Sequence, residues 1–313
     1  MKRNRLRAHA AGRRLLERGF ERPLLVLAHH DDEISVAGLL QRLGPAARIL
    51  WVTNSDGRYF DSDLEPDAYG ELRKAEGLRS AAAAGLPAEQ TACLDFSEVA
   101  IYSALGRLQA DATAVEAVLP LFERMRDAVR ERVLQLRPDL VLTLAWQGGQ
   151  PEHDLVHLCS RLAVDALAGE MGRPPVFVHF PAYEYTYAWA ARFNPLYRGR
   201  RMRIQLAPAE RRVKWAMVQA YPSQVSLFRY FRWAFRFVLR PAALLTGGPR
   251  SLEDFFAEEE FGPVPADIDY SARPHRFDWL NYMFDDYEGT PITFDGSIRP
   301  LVRALWPSAG VRR

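Results

Sequence analysis

The stretch LLVLAHHDDEISVAGLL, Leu24 to Leu40, decides how the chain is read. Leu24, Leu25, Val26 and Leu27 form a continuous apolar run, the pattern of a parallel strand covered on both faces. The run ends abruptly in His29, His30, Asp31, Asp32 and Glu33, and a helix-like apolar pattern resumes at Ile34. In open α/β sheets ligands bind beyond the carboxyl ends of the strands. Titratable groups crowded into that position point to chemistry at a sheet edge.

Working outward, strand-like runs recur at RILWVTN (Arg48 to Asn54), ACLDF (Ala92 to Phe96), LVLTLAW (Leu140 to Trp146) and PVFVHF (Pro175 to Phe180). Helical patterns separate them at Glu71 to Leu86, at Thr113 to Asp139 with Pro120 near its start, and at Asp154 to Gly169. This alternation predicts an α/β fold, a Rossmann-like doubly wound and mainly parallel sheet with helices on both faces. No G-x-G-x-x-G follows the first strand, so the phosphate-cradling turn of a dinucleotide fold is missing. After about Pro222 the sequence turns aromatic and arginine-rich, then rich in Pro, Gly and Asp. The expected organisation is a basic helix or arm over residues 1–19, a main α/β domain over 20–224 and a C-terminal extension over 225–313.

With 313 residues, 48% of them hydrophobic and 12% aromatic, the chain has the composition of a packed protein rather than a disordered one. A formal net charge of +2 gives no argument for nucleic acid. The opening segment MKRNRLRAHAAGRRLLERGFER is strongly basic and reads as a solvated helix or arm, with contact to an anionic membrane or polymer as the minority reading. Cys93 and Cys159 stand in no C-x-x-C spacing, which argues against a disulfide framework and a thiolate-bound zinc. A cytoplasmic protein is expected, peripheral at the membrane in a second version, since no run approaches the roughly 20 apolar residues of a spanning helix.

A catalytic zinc takes three ligands from His, Asp and Glu and keeps a position open for water. His29 and Asp32 are three apart on a turn beyond a strand, and His153, in WQGGQPEHDLVH (Trp146 to His157), follows another strand through a glycine-containing loop. Two loops from two parallel strands would thus close one site. Against this stands the plain alternative that Asp31 or Asp32 caps the helix beginning near Ile34.

AHHDDE resembles the AHPDDE motif of the LmbE-like, PIG-L family of zinc-dependent N-acetylglucosamine deacetylases, and GGQPEHDLVH resembles that family's GGHPDHDAVH segment. RKAEGLRSAAAAGL resembles its R-x-x-E helix, and KWAMVQAYPSQ (Lys214 to Gln224) its Lys…Tyr-x-Ser-Gln segment. The resemblance covers roughly residues 20 to 224. It implies that His29, Asp32 and His153 bind one Zn2+ (another divalent metal being the alternative), that Asp31 is the general base for the attacking water, and that Arg73 reaches toward a sugar. The implied substrate is an amino sugar or glycoconjugate, which loses an acetyl or other acyl group from nitrogen. Glu33 reads as a supporting acid.

Two positions depart from the family pattern. His30 replaces the proline, which loosens the turn and leaves the spacing intact. Gln150 replaces a histidine thought to polarise the intermediate or protonate the leaving amine, and glutamine cannot supply a proton. Slower turnover, a replacement acid such as His157, or a lost activity follow as alternatives. A rival reading is therefore an impaired member that binds a glycan or partner. A third, a phosphoester hydrolase with two hard cations, lacks a visible second ligand set. Asp56 and Arg58, in the loop after the second strand, are candidate substrate contacts at the rim. His9, His179 and His275 are taken as structural. In VSLFRYFRWAFRFVLR, Arg229, Arg232, Arg236 and Arg240 form one stripe on an aromatic helix. The bland reading packs that helix on the domain with its arginines in water; the sharper one makes residues 225–240 a peripheral membrane contact.

Overall fold

Every residue of β1 (Pro23–Leu27) and β4 (Leu140–Leu144) is buried, as continuous apolar runs require of central parallel strands. β1 pairs in parallel with β4 on one side and with β2 (Arg48–Thr53) on the other. β3 (Thr91–Phe96) lies beyond β2, and β5 (Val176–Phe180) beyond β4. The chain thus builds outward from β1 in one direction, crosses back, and builds in the other. The junction of β1 and β4 is the topological switch point, where such sheets place their ligands. The computed structural model describes residues 2–184, 189–194, 197–234, 236–237, 251–274, 282, 286–287 and 289–306.

Among the described residues the α-helices longer than five residues are α1 (Lys2–Leu16), α2 (Ala37–Leu43), α3 (Pro66–Ala83), α4 (Glu98–Ala110), α5 (Val115–Leu136), α6 (Pro151–Met171), α7 (Pro208–Gln219), α8 (Val225–Ala234) and α9 (Arg299–Leu305). The expected strands and helices are present with ends moved by a few residues. α4, α7 and α9 were not foreseen. The first of them begins at Ser97, whose hydroxyl accepts from the Ala100 amide at 3.1 Å.

Two further strands complete a seven-stranded mixed sheet in the order β3-β2-β1-β4-β5-β7-β6, where β6 is Met202–Gln205 and β7 is Glu258–Pro263. β7 runs antiparallel to both neighbours. Its sequence, EEEFGP, gives no apolar signal, yet its first five residues are buried. The acids are tolerated because each is partnered. Glu258 meets Arg5 and His9 of α1, both at 2.9 Å, and Arg203 of β6 at 2.8 Å. Glu259, on the opposite face, accepts from the Gly38 and Leu39 amides opening α2 and lies 2.7 Å from Lys214 of α7. Glu260 accepts from the Phe193 amide and pairs with Arg201 and Arg203.

The basic N-terminal segment is a helix docked on β6. Ala8, Ala11 and Leu15 are buried, while Arg13 and Arg14 face solvent. A Cβ on Gly12 would stand 2.3 Å from the Arg203 carbonyl oxygen, so only glycine admits this contact. The region after residue 224 returns to the sheet as β7, and α9 buries Leu301, Val302 and Leu305 on the far side. Arg240 and His275 lie outside the described residues.

Candidate functional site

The turn after β1 is tightly held. His30 is buried and stacks on Trp51 of β2 with ring centroids 4.6 Å apart. Its amide donates to Ser55 Oγ at 2.8 Å, its Nδ1 lies 2.9 Å from the same hydroxyl, and its carbonyl accepts from Arg73. The histidine standing where the related motif has proline therefore pins the turn rather than loosening it. Asp31 adopts φ 122°, a backbone region rarely occupied outside glycine, and the surrounding contacts over-determine it. Gly77 of α3 packs on the His30 ring, and a Cβ there would lie 2.5 Å from it.

From this turn and from the first turn of α6, three side chains converge. His29 Nδ1 is 3.0 Å from His153 Nε2, Asp32 Oδ1 is 3.2 Å from His153 Nε2, and Asp32 Oδ2 is 3.8 Å from His29 Nδ1. Their ligand atoms all lie within 4.8 Å of one another. Two imidazole nitrogens and one carboxylate fit a divalent cation of the zinc type with a position left over. His29 N also donates to Asp32 Oδ2 at 2.7 Å, fixing the carboxylate.

The second nitrogen of His29 finds a partner that the sequence did not disclose. His29 Nε2 lies 3.0 Å from Glu98 Oε1 at the start of α4. His29, Glu98 and Glu152 also have ligand atoms within 4.8 Å of one another, so acids do cluster beyond the first three residues. With Nδ1 turned to Asp32 and His153, Nε2 faces Glu98, the arrangement that commonly supports a metal-binding histidine. Glu98 is held in turn by the Gly57 amide at 3.1 Å, and Glu152 by the Tyr102 hydroxyl at 3.1 Å. The sequence cue for Glu98 was Ser97, a helix-capping residue directly after β3.

These contacts set the charges of the protein groups. Burial opposes protonation of His29, but the Glu98 carboxylate, with Asp32 and Glu152, outweighs it and raises the pKa to about 10. Burial also works against ionisation of Asp32 and Glu98, yet His153 and His29 beside the first, and His29 beside the second, hold both below the usual range. Burial lifts Glu152 to about 8 against the pull of His29. Desolvation raises Asp31 to about 7, opposed by Arg73 and reinforced by Asp32.

Asp31 stands apart from the trio and is clamped from α3. Arg73 Nη2 lies 2.8 Å from Asp31 Oδ2, while Nη1 reaches Glu76 at 2.9 Å and Ser223 Oγ at 3.2 Å. The guanidinium is 2% exposed and covered by the Tyr221 ring at 4.9 Å. The arginine expected at the sugar is thus occupied with Asp31. Glu33 is also buried, accepting from Ser80 at 2.6 Å and from Tyr221, which matches its reading as a supporting acid.

The remaining expected residues sit as follows. Gln150 occupies the cap position of α6, is 8% exposed, and its Oε1 has no hydrogen-bond partner. His157 does not join the trio. Its Nδ1 lies 2.6 Å from the Leu144 carbonyl and its Nε2 2.9 Å from the Tyr270 hydroxyl, and burial lowers its pKa to about 4. Asp56 is buried and closes the start of α4, accepting from Val99 N at 3.1 Å and Ser97 Oγ at 2.6 Å. Arg58 pairs with Asp61 of the same loop. No described helix is long and apolar enough to cross a membrane.

Residues 24–166 match the model of a family described as PIG-L, GlcNAc-PI de-N-acetylase. Among solved structures, a deacetylase of the antimicrobial A40926 pseudoaglycone has a TM-score of 0.51 and 19% identity, over 82% of this chain and 99% of that one. A deacetylase from the biosynthesis pathway of teicoplanin has 0.51 and 18%, over 79% and 100%. The 4-carboxy-2-hydroxymuconate hydratase of Pseudomonas putida has 0.50 and 15%, over 79% and 98%. At these identities the likeness is one of fold. No curated protein matches the sequence. The family match, over residues 24–166, spans the strand ends that carry both motifs.

Proposed function

We propose that the protein is a zinc-dependent hydrolase that removes an N-acetyl group, or another N-acyl group, from an amino sugar or glycoconjugate. The observation that carries this reading is the convergence of His29, Asp32 and His153 beside a separately clamped carboxylate, Asp31. Residues 20–224 supply this chemistry. A zinc ion held by the trio would polarise the amide carbonyl and make water a usable nucleophile near neutral pH. Asp31, 19% exposed at its side chain and fixed by Arg73, accepts the proton of the attacking water. Gln150 donates a hydrogen bond but no proton. His157 cannot replace it, because both ring nitrogens are engaged. Asp31 therefore returns the proton it took to the departing amine, and the products are acetate and a free amino sugar.

The second reading, a family member that binds a glycan without turning it over, draws support from Gln150. Its unpartnered Oε1 suits an N–H or O–H of a bound ligand. One experiment separates the two. Acetate release from a panel of N-acetylglucosamine conjugates is followed for wild type and Asp31→Asn, with metal content determined on the same samples. Release by wild type, abolished by chelation and by Asp31→Asn with zinc retained, supports hydrolysis. Ligand binding without release, with or without bound zinc, supports the second reading, and failure to bind any divalent metal removes the first.

A further inference from the structure

Large hydrophobic side chains exposed to solvent are few among the described residues, and they are not scattered. Of Leu6, Phe60, Leu64, Leu78, Val225, Trp233 and Phe237, five come from two segments, the loop after β2 and the stretch opened by α8. The segments touch, since Ser226 Oγ lies 3.4 Å from Asp61 Oδ2. Both stand next to the site. The loop after β2 leaves the carboxyl edge of the sheet, and Ser223, two residues before α8, bonds the Arg73 that holds Asp31. The exposed apolar residues thus border the edge where the chemistry is placed.

The stretch opened by α8 is cationic: Arg229, Arg232 and Arg236 are exposed and residues 225–237 contain no acid, whereas Phe60 and Leu64 stand among the exposed acids Asp61, Asp63 and Glu65. Val225, Arg229, Arg232, Trp233, Arg236 and Phe237 recur at helical spacing on one stripe. The Trp233 and Phe237 rings lie 5.6 Å apart, and the Arg236 guanidinium sits 5.5 Å from the Phe237 ring. Aromatic rings exposed beside guanidinium groups, on a stretch without acids of its own, are matched by one environment in particular. Rings and methylene stems settle at the headgroup level of a bilayer, while the guanidinium groups meet lipid phosphates. A solvated helix face would carry acids among its bases and would not display Trp and Phe.

We propose that Val225, Trp233 and Phe237, with Arg229, Arg232 and Arg236, form a surface that docks the protein on an anionic phospholipid bilayer. The mouth of the site is thereby turned toward the lipid. The docking stands independently of the reaction assigned to that site.

The test is flotation of the full chain with vesicles of phosphatidylcholine alone and of equimolar phosphatidylcholine and phosphatidylglycerol. Binding is expected to the anionic vesicles, falling with added salt. Each arginine near the surface contributes about a factor of five, so Arg229→Glu/Arg232→Glu/Arg236→Glu weakens partition by a hundredfold or more. Trp233→Ala/Phe237→Ala weakens it with the salt dependence kept. Arg13→Glu/Arg14→Glu, on the basic but distant α1, leaves it unchanged. Circular dichroism and acetate release from a soluble substrate check that each variant is folded. No binding to anionic vesicles overturns the proposal. So does binding that survives the triple variant or is lost with the α1 variant. Self-association of the vesicle-free protein that the Trp233/Phe237 variant abolishes would assign the surface to a second copy instead, as retention on polynucleotide without vesicle binding would assign it to nucleic acid.

Discussion

Arg73 touches the backbone and the side chain of one turn at once: the same Nη2 meets the Asp31 carboxylate at 2.8 Å and the carbonyl of His30. This double contact holds the proposed base in a backbone conformation that an aspartate would not otherwise keep. Arg73→Ala is expected to lower kcat by roughly a hundredfold, the cost of misplacing a reacting group by about an ångström, with KM little changed. A rise in KM at constant kcat would assign the arginine to the sugar instead. Arg73→Lys, which cannot bridge both acceptors in one plane, recovers only part of the loss.

Glu98 orients His29 through Nε2. Its replacement by Gln keeps the size and removes the charge, so metal affinity falls by roughly 10 to 100-fold while the fold persists. Competition with a chelator of known affinity measures this directly, without reference to any substrate. An unchanged affinity would show that His29 needs no such support.

His157 sets a pH dependence of stability. Its folded pKa, about 4, lies below the 6.5 of an unperturbed histidine. Between those values the unfolded chain binds a proton that the folded protein refuses, so stability falls as pH drops through that window and the loss is complete below about 4. The shift corresponds to about 3 kcal/mol. His30 and His179, also buried and lowered, add to the same trend. Urea midpoints between neutral pH and 4.5 should show a shallower dependence for His157→Gln than for wild type; parallel curves would contradict the assignment.

Lys214 neutralises Glu259 inside the protein. Lys214→Met leaves that carboxylate to the two α2 amides alone and is expected to destabilise by about 3 kcal/mol, because a buried charge has lost its partner. Denaturant titration at neutral pH gives the value. A loss below about 0.5 kcal/mol would mean that the pair behaves as an exposed one.

Much of the fold was legible because β1, β2, β4 and β5 are short apolar runs, and buried parallel strands must be such runs. The cluster of His29, Asp32 and His153 was legible because the first two follow β1 directly and the third lies in the first turn of the helix that follows β4. Other features depended on distant partners. Arg73 and Glu76 have the spacing of a solvated helix pair, and nothing local tells that Asp31 and Ser223 close over them. Glu98 reaches His29 only because β3 and the crossover into α4 carry it back toward the end of β1. β7 has no strand signature at all, since its three glutamates become core residues through bases supplied by α1, β6 and α7.

That last arrangement ties α1 to a strand far along the polypeptide. The helix α1 finds its ionic partner Glu258 some 250 residues later, at separations of 253 for Arg5 and 249 for His9. During synthesis α1 emerges long before β7, so its basic groups wait without Glu258 while the parallel strands assemble. Closure of the sheet between β5 and β6 is then a late event of high contact order. A chain cut after residue 224 would retain every member of the metal trio and still leave β5 and β6 facing each other across a missing strand.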